Sequence, residues 1–103
     1  MFLFKYQHIP QVVTFESLDN LGYYIAHQNS LGYIRKLVKS ADFLFKLVNG
    51  LDGQGISFES VNFPGHYLRH QDSQIKLHKN DNTSLFLKDA SFIKLGIFFF
   101  ILC

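Results

Sequence analysis

One five-residue pattern occurs twice in this chain. Val13-Thr14-Phe15-Glu16-Ser17 returns 43 positions later as Ile56-Ser57-Phe58-Glu59-Ser60. The same shift carries Gly22 to Gly65, Tyr24 to Tyr67 and His27 to His70, and then Gln28 and Ser30 to Gln71 and Ser73. A fixed period means that one supersecondary unit is used more than once. Three units of this size need about 129 residues, and the chain has 103. Two units fit and a third does not.

Each unit reads as a run of short strands. Val12 to Ser17 and Ile56 to Ser60 alternate apolar and polar residues, as half-buried strands do. Asn20-Leu21-Gly22 and Asn62-Phe63-Pro64-Gly65 are turn signals. Tyr23 to His27 and Tyr67 to His70 follow as second strands, each in a hairpin with the first. Gly32 marks a further turn, with strands at Tyr33 to Val38 and Phe43 to Val48. Asn49-Gly50 and Asp52-Gly53 close the first unit. In the second unit Gln74 to His78 and Leu85 to Lys88 read as strands on either side of the polar turn Lys79 to Asn82. Helix is the weaker reading for Tyr33 to Val48, because β-branched and aromatic residues favour strands. Matched positions place Phe15, Phe45, Phe58 and Phe92 together in the core, near the axis that would relate the repeated units.

The residues Ser57-Phe58-Glu59-Ser60-x-Asn62-x-Pro64-Gly65-x-Tyr67-Leu68-Arg69-His70, followed by Asp89-Ala90-Ser91-Phe92, resemble the arabinofuranose-binding domain, carbohydrate-binding module family 42. That family accompanies α-L-arabinofuranosidases of the B type. The resemblance runs from Val13 to Phe92 and is closer in the second unit than in the first. It implies an all-β chain, a β-trefoil that is incomplete at about two of three units. The organisation it implies is an N-terminal segment at 1–12, the domain at 13–92 with units 13–55 and 56–92, and an apolar tail at 93–103. It also implies a shallow sugar pocket in each binding unit. There a His after the Tyr strand and an Asp in the Asp-Ala-Ser-Phe segment contact the ligand. Carried over, these are His70 and Asp89, and in the first unit His27 and Asp42. His70 and Asp89 are 19 positions apart, His27 and Asp42 only 15, so the shorter loop is expected to misplace Asp42.

The sugar chemistry suits these residue types. A carboxylate accepts from hydroxyls, and neutral His donates or accepts. The bland alternative is that His70 closes a turn and Asp89 caps a loop. Other chemistries find less support. His66 and His70 would lie roughly 13 Å apart on a strand, too far to share a zinc held at about 2.1 Å, so no metal or other cofactor is expected. Glu16 and Glu59 occupy equivalent places. They read as one structural role used twice, with backbone or with Arg35 or Arg69, rather than as the two carboxylates flanking a glycosidic bond. Lys76, Lys79, Lys88 and His78 read as a solvated basic face. A net charge of +2 is too mild to indicate nucleic acid. Cys103 is the single cysteine and cannot form an internal disulfide.

The ends of the sequence are less regular. Lys5 interrupts the apolar start and no cleavage site follows, so Met1 to Gln11 is not read as a signal peptide. It is read as an edge strand or a ragged start ended by Pro10. An extracellular location is implied by the resemblance only. Ile97 to Cys103 has seven apolar residues, far short of the ~20 that span a bilayer as a helix. It matches a segment prone to pair with another strand.

Two functions follow. The first is a non-catalytic module for terminal L-arabinofuranosyl groups of arabinoxylan or arabinan, associated with an α-L-arabinofuranosidase and not an enzyme by itself. The rival is a structural or interaction β-domain that self-associates through Ile97 to Cys103.

Overall fold

A computed structural model describes residues 2–6, 12–17, 19–95 and 98–99, with side chains for 12–17 and 19–93. Its strands in chain order begin with β1 (Phe2–Tyr6), β2 (Val12–Ser17), β3 (Tyr23–Gln28), β4 (Leu31–Lys36) and β5 (Phe45–Asn49). They continue with β6 (Ile56–Ser60), β7 (His66–Gln71) and β8 (Gln74–Lys79). A short helix, α1 (Ser84–Asp89), and the two-residue strands β9 (Lys94–Leu95) and β10 (Phe98–Phe99) follow.

The chain is all-β, but the expected β-trefoil does not form. Seven antiparallel strands close a barrel in the order β2-β3-β4-β8-β7-β6-β5, with β5 returning to β2. The closure explains the difference. β4 of the first unit meets β8 of the second at Leu31 and Lys76. β5 meets β2 at Val13↔Phe45 and Val12↔Lys46. The two units therefore close on each other directly, with no place for a third around a threefold axis. β1 runs along Val13 to Ser17 of β2 at the end of the strand order, the edge-strand alternative for the start of the chain. Pro10 lies outside the described residues.

The repeat is visible strand by strand. β1 pairs with β2 as β5 pairs with β6, in the same register after the 43-residue shift. Glu16↔Tyr24 links β2 to β3, and Glu59↔Tyr67 links β6 to β7. In both units the Glu side chain holds the turn that follows. Gly22 N–H donates to Glu16 Oε2 at 2.9 Å, and Gly65 N–H to Glu59 Oε2 at 2.7 Å. This is the shared structural role, made with backbone. Arg35 and Arg69 point elsewhere, to Gln28 and Asp89. The hairpins β3–β4 and β7–β8 have two-residue tips, Asn29-Ser30 and Asp72-Ser73, all four at positive φ. That backbone matches the right-handed twist of the flanking strands. Gly32, read as a turn, is inside β4.

The largest departure from the strand reading is Leu85 to Lys88, which is helical. Thr83 starts the helix, its Oγ1 accepting from Phe86 N–H at 3.2 Å. Leu85, Leu87 and Lys88 are good helix formers, and a Thr cap satisfies a donor the helix cannot. The first unit has only a 3₁₀ turn at Ala41–Phe43 in the corresponding place. The four extra residues of the second unit thus amount to about one helical turn. After the insertion the repeat resumes, since Val13↔Phe45 is matched by Ile56↔Phe92. Ile56 and Phe92 exchange both backbone hydrogen bonds at 2.8 Å. Gly55 permits this approach: it has φ +67°, and a Cβ there would lie 2.2 Å from Phe92 O.

The barrel interior is filled by Phe15, Phe45, Phe58 and Phe92 with Val13, Ile25, Leu68, Ile75 and Leu77. The four rings do meet as expected, around the barrel interior rather than a threefold axis. Phe15 and Phe58 meet edge to face at 4.8 Å, and Phe58 and Phe92 lie 5.5 Å apart. No helix among the described residues is long and apolar enough to cross a membrane. The side chains of Ile97 to Cys103, and so any contact through them, lie outside the described residues. In the tail, the backbone at Phe98–Phe99 pairs with Lys94–Leu95.

Candidate functional site

Two constellations stand at equivalent places in the two units. In the second, Asp89 is the last residue of α1 and is buried. Arg69 on β7 donates from Nη2 to Asp89 Oδ2 at 2.5 Å. The guanidinium also lies 4.7 Å from the centre of the Phe86 ring, a cation–π contact with a helix residue. Arg69 Nε is buried without a hydrogen-bond partner among the described residues. His70, the next residue, points to the other face of the strand. Its ring centre is 6.0 Å from Phe92. The structure thus joins Asp89 to Arg69, not to His70.

In the first unit the candidates come together. His27 is buried on β3, and its Nε2 is 3.5 Å from Asp42 Oδ1. The shorter loop does not separate them, because the 3₁₀ turn at Ala41–Phe43 brings Asp42 in without a helix. The Arg69 position is held by Ala26 in this unit. With no guanidinium there, Asp42 is left to pair with neighbours on the His27 side.

Those neighbours belong to the second unit. His27 Nε2 is 2.7 Å from Asn62 Oδ1 and 3.4 Å from Ser60 Oγ. Asn62 Nδ2 donates to Asp42 Oδ1 at 2.8 Å. Ser60 Oγ donates to Asn62 Oδ1 at 2.9 Å and accepts from Phe63 N–H at 3.0 Å. The exposed Phe63 ring stands 4.7 Å from the imidazole. Sequence reasoning singled out His27 and Asp42 but not Ser60, Asn62 or Phe63. The signal was present for Ser60 and Asn62, which are fixed positions of the motif that carries the resemblance, whereas Phe63 stands at one of its open positions. Arg69 is in that motif too, and Phe86 had no signal beyond its apolar character.

The electrostatics around the second hairpin are uneven. His78, across from Tyr67 on β8, has its pKa lowered by burial, then by Arg69, Lys76 and His66. Burial and the Glu59 charge push the Tyr67 hydroxyl up. Lys76 reaches Asp72 Oδ2 at 3.5 Å and Gln71 Oε1 at 3.1 Å. The face is positive on balance and already partly paired.

Comparison with known proteins gives a consistent result. The family profile of the α-L-arabinofuranosidase B (AbfB) domain matches residues 13–96. A solved GH54 α-L-arabinofuranosidase, soaked with a cyclic sulfate inhibitor, superposes with TM-score 0.74 at 32% identity over 81% of this chain. An arabinofuranosidase complexed with arabinofuranosyl-α-1,2-xylobiose superposes with TM-score 0.73, also at 32% identity and 81% coverage. This chain spans 19% of the length of each. No curated protein sequence matches it significantly. The repeated motif, the profile match and the superpositions agree that the chain belongs to the α-L-arabinofuranosidase B domain family.

Proposed function

We propose that this chain is a carbohydrate-binding module that recognises terminal L-arabinofuranosyl groups of plant polysaccharides such as arabinoxylan and arabinan. One observation carries the reading. Each unit fixes a carboxylate at the same point beyond its second hairpin, Asp42 through Asn62 and Asp89 through Arg69. A carboxylate held by one neighbour keeps further lone pairs for sugar hydroxyls. Phe63 supplies an apolar wall to the first site, as sugar sites require. Family membership supports the reading, as does the arabinofuranosyl-xylobiose bound by one structural relative. Linked to an arabinofuranosidase, the module raises the local concentration of enzyme at its substrate, which places it outside the cell. Glu16 and Glu59 are each engaged by a turn N–H, and we propose no catalytic role for them.

The test is retention on arabinofuranose-decorated xylan in affinity electrophoresis. A hydrogen bond to a charged group contributes about 1.5–3 kcal/mol, or roughly 10- to 150-fold in affinity. Asp89→Ala and Asp42→Ala are each expected to lose binding by that factor at their own site, with His70→Ala and His27→Ala close behind. Unchanged retention by folded Asp42→Ala/Asp89→Ala protein rules out this function.

A further inference from the structure

We propose that Asn62 is a positioning residue that makes the first pocket a joint product of both repeat units. Its role follows from what each atom can donate. Asn62 Oδ1 receives Ser60 O–H at 2.9 Å and faces His27 Nε2 at 2.7 Å, while Nδ2 faces Asp42 Oδ1 at 2.8 Å. The opposite amide orientation would set its oxygen against the Asp42 carboxylate and its NH₂ against His27. The network therefore admits one orientation. With an acceptor in front of it, Nε2 must carry the imidazole proton, and Nδ1 holds the lone pair. Ser60 in turn is anchored by Phe63 N–H at 3.0 Å. The chain of bonds runs from the β6–β7 turn through one amide to both candidate ligand groups of the other unit.

Asn62 is exposed and outside the barrel interior, so changes there spare the core. Two variants separate its two tasks. Asn62→Ala removes both contacts. Asn62→Asp keeps an acceptor for His27 but sets a carboxylate against Asp42. The first readout needs no ligand: nitrogen NMR of the His27 ring at a pH where it is neutral. The parent and Asn62→Asp are expected to show the Nε2–H tautomer, and Asn62→Ala, in which only the more distant Asp42 Oδ1 at 3.5 Å and Ser60 Oγ at 3.4 Å still face Nε2, a mixture. A parent ring protonated on Nδ1, or an Asn62→Ala ring still wholly Nε2–H, overturns the inference.

The second readout rests on the proposed function. Methyl α-L-arabinofuranoside is titrated while the His27 and Phe63 resonances are followed in an Asp89→Ala background. Asn62→Ala and Asn62→Asp are both expected to weaken the response about tenfold or more, the worth of a charge-assisted hydrogen bond. Response by the variants equal to the parent's overturns the positioning role. Absence of any response in the parent, with the tautomer pattern as expected, overturns the sugar reading and leaves the positioning role standing.

Discussion

Arg69→Met isolates what the Arg69–Asp89 pair does for the fold. The two side chains are only 8% and 13% exposed, so water screens them little. Methionine keeps an unbranched stem beside Phe86 but removes the guanidinium, leaving the Asp89 carboxylate desolvated and alone. Breaking a buried pair from one side costs about 3–5 kcal/mol. The lost cation–π contact with Phe86 adds about 0.5–2 kcal/mol. Domains of this size have about 5–15 kcal/mol in total, so the variant is expected to lose a large part of its stability. At about 4–8 °C per kcal/mol, the melting temperature falls by at least about 12 °C. The double variant Arg69→Met/Asp89→Leu removes both charges and is expected to recover most of the loss, because two apolar groups need no partners. Urea unfolding followed by circular dichroism gives all corners of the cycle. A cost below about 1 kcal/mol for Arg69→Met, with no coupling to Asp89, would mean that the pair behaves as a surface bridge and that Asp89 is not held by it.

The remaining predictions concern core and charge. Phe58 is fully buried against Phe15 and Phe92, so Phe58→Ala is expected to cost about 3–5 kcal/mol, read by the same urea titration; an effect under 1 kcal/mol would break the proposed register. His78 has a folded pKa below its ordinary 6.5, so as pH falls through that value the unfolded chain takes up the proton first. Stability then declines with falling pH until the folded pKa is passed. His78→Gln is expected to flatten the melting temperature between about pH 7 and pH 5; an unchanged slope refutes the role of His78.

The sequence showed most of what local patterning can show. The 43-residue shift placed β2, β3, β6 and β7 and matched Phe15 with Phe58, and the same shift plus the four inserted residues matched Phe45 with Phe92, because alternation and turn residues act over a few positions. The shared task of Glu16 and Glu59 was readable from their equivalence. α1 was not, because Leu85-Phe86-Leu87-Lys88 is a short apolar run whose periodicity does not separate strand from helix. The decisive signal was the Thr83 cap, a single side chain. Barrel closure was not readable either, since Leu31↔Lys76 and Val13↔Phe45 join residues far apart in sequence. The pairing of Asp42 with His27, and of Asp89 with Arg69, turns on Ala26 standing where the second unit has Arg69. That difference is visible in the aligned repeats, but its effect depends on which face of the strand each side chain takes.

The way the barrel closes sets the order in which it should come apart. Each long hairpin is zipped along its whole length by neighbours in sequence, from Tyr23↔Lys36 to Gln28↔Leu31 and from His66↔Lys79 to Gln71↔Gln74. The seams between hairpins are short and join distant residues, so they carry the loop-closure entropy of the fold. Amide protons at the seams, such as that of Leu77 bonded to Ser30 O at 2.9 Å, report closure of the ring rather than formation of a hairpin. A barrel built this way is expected to gain its strands early and its ring late. Its hairpins are expected to act as separate cooperative units in native-state hydrogen exchange, with the seams opening first.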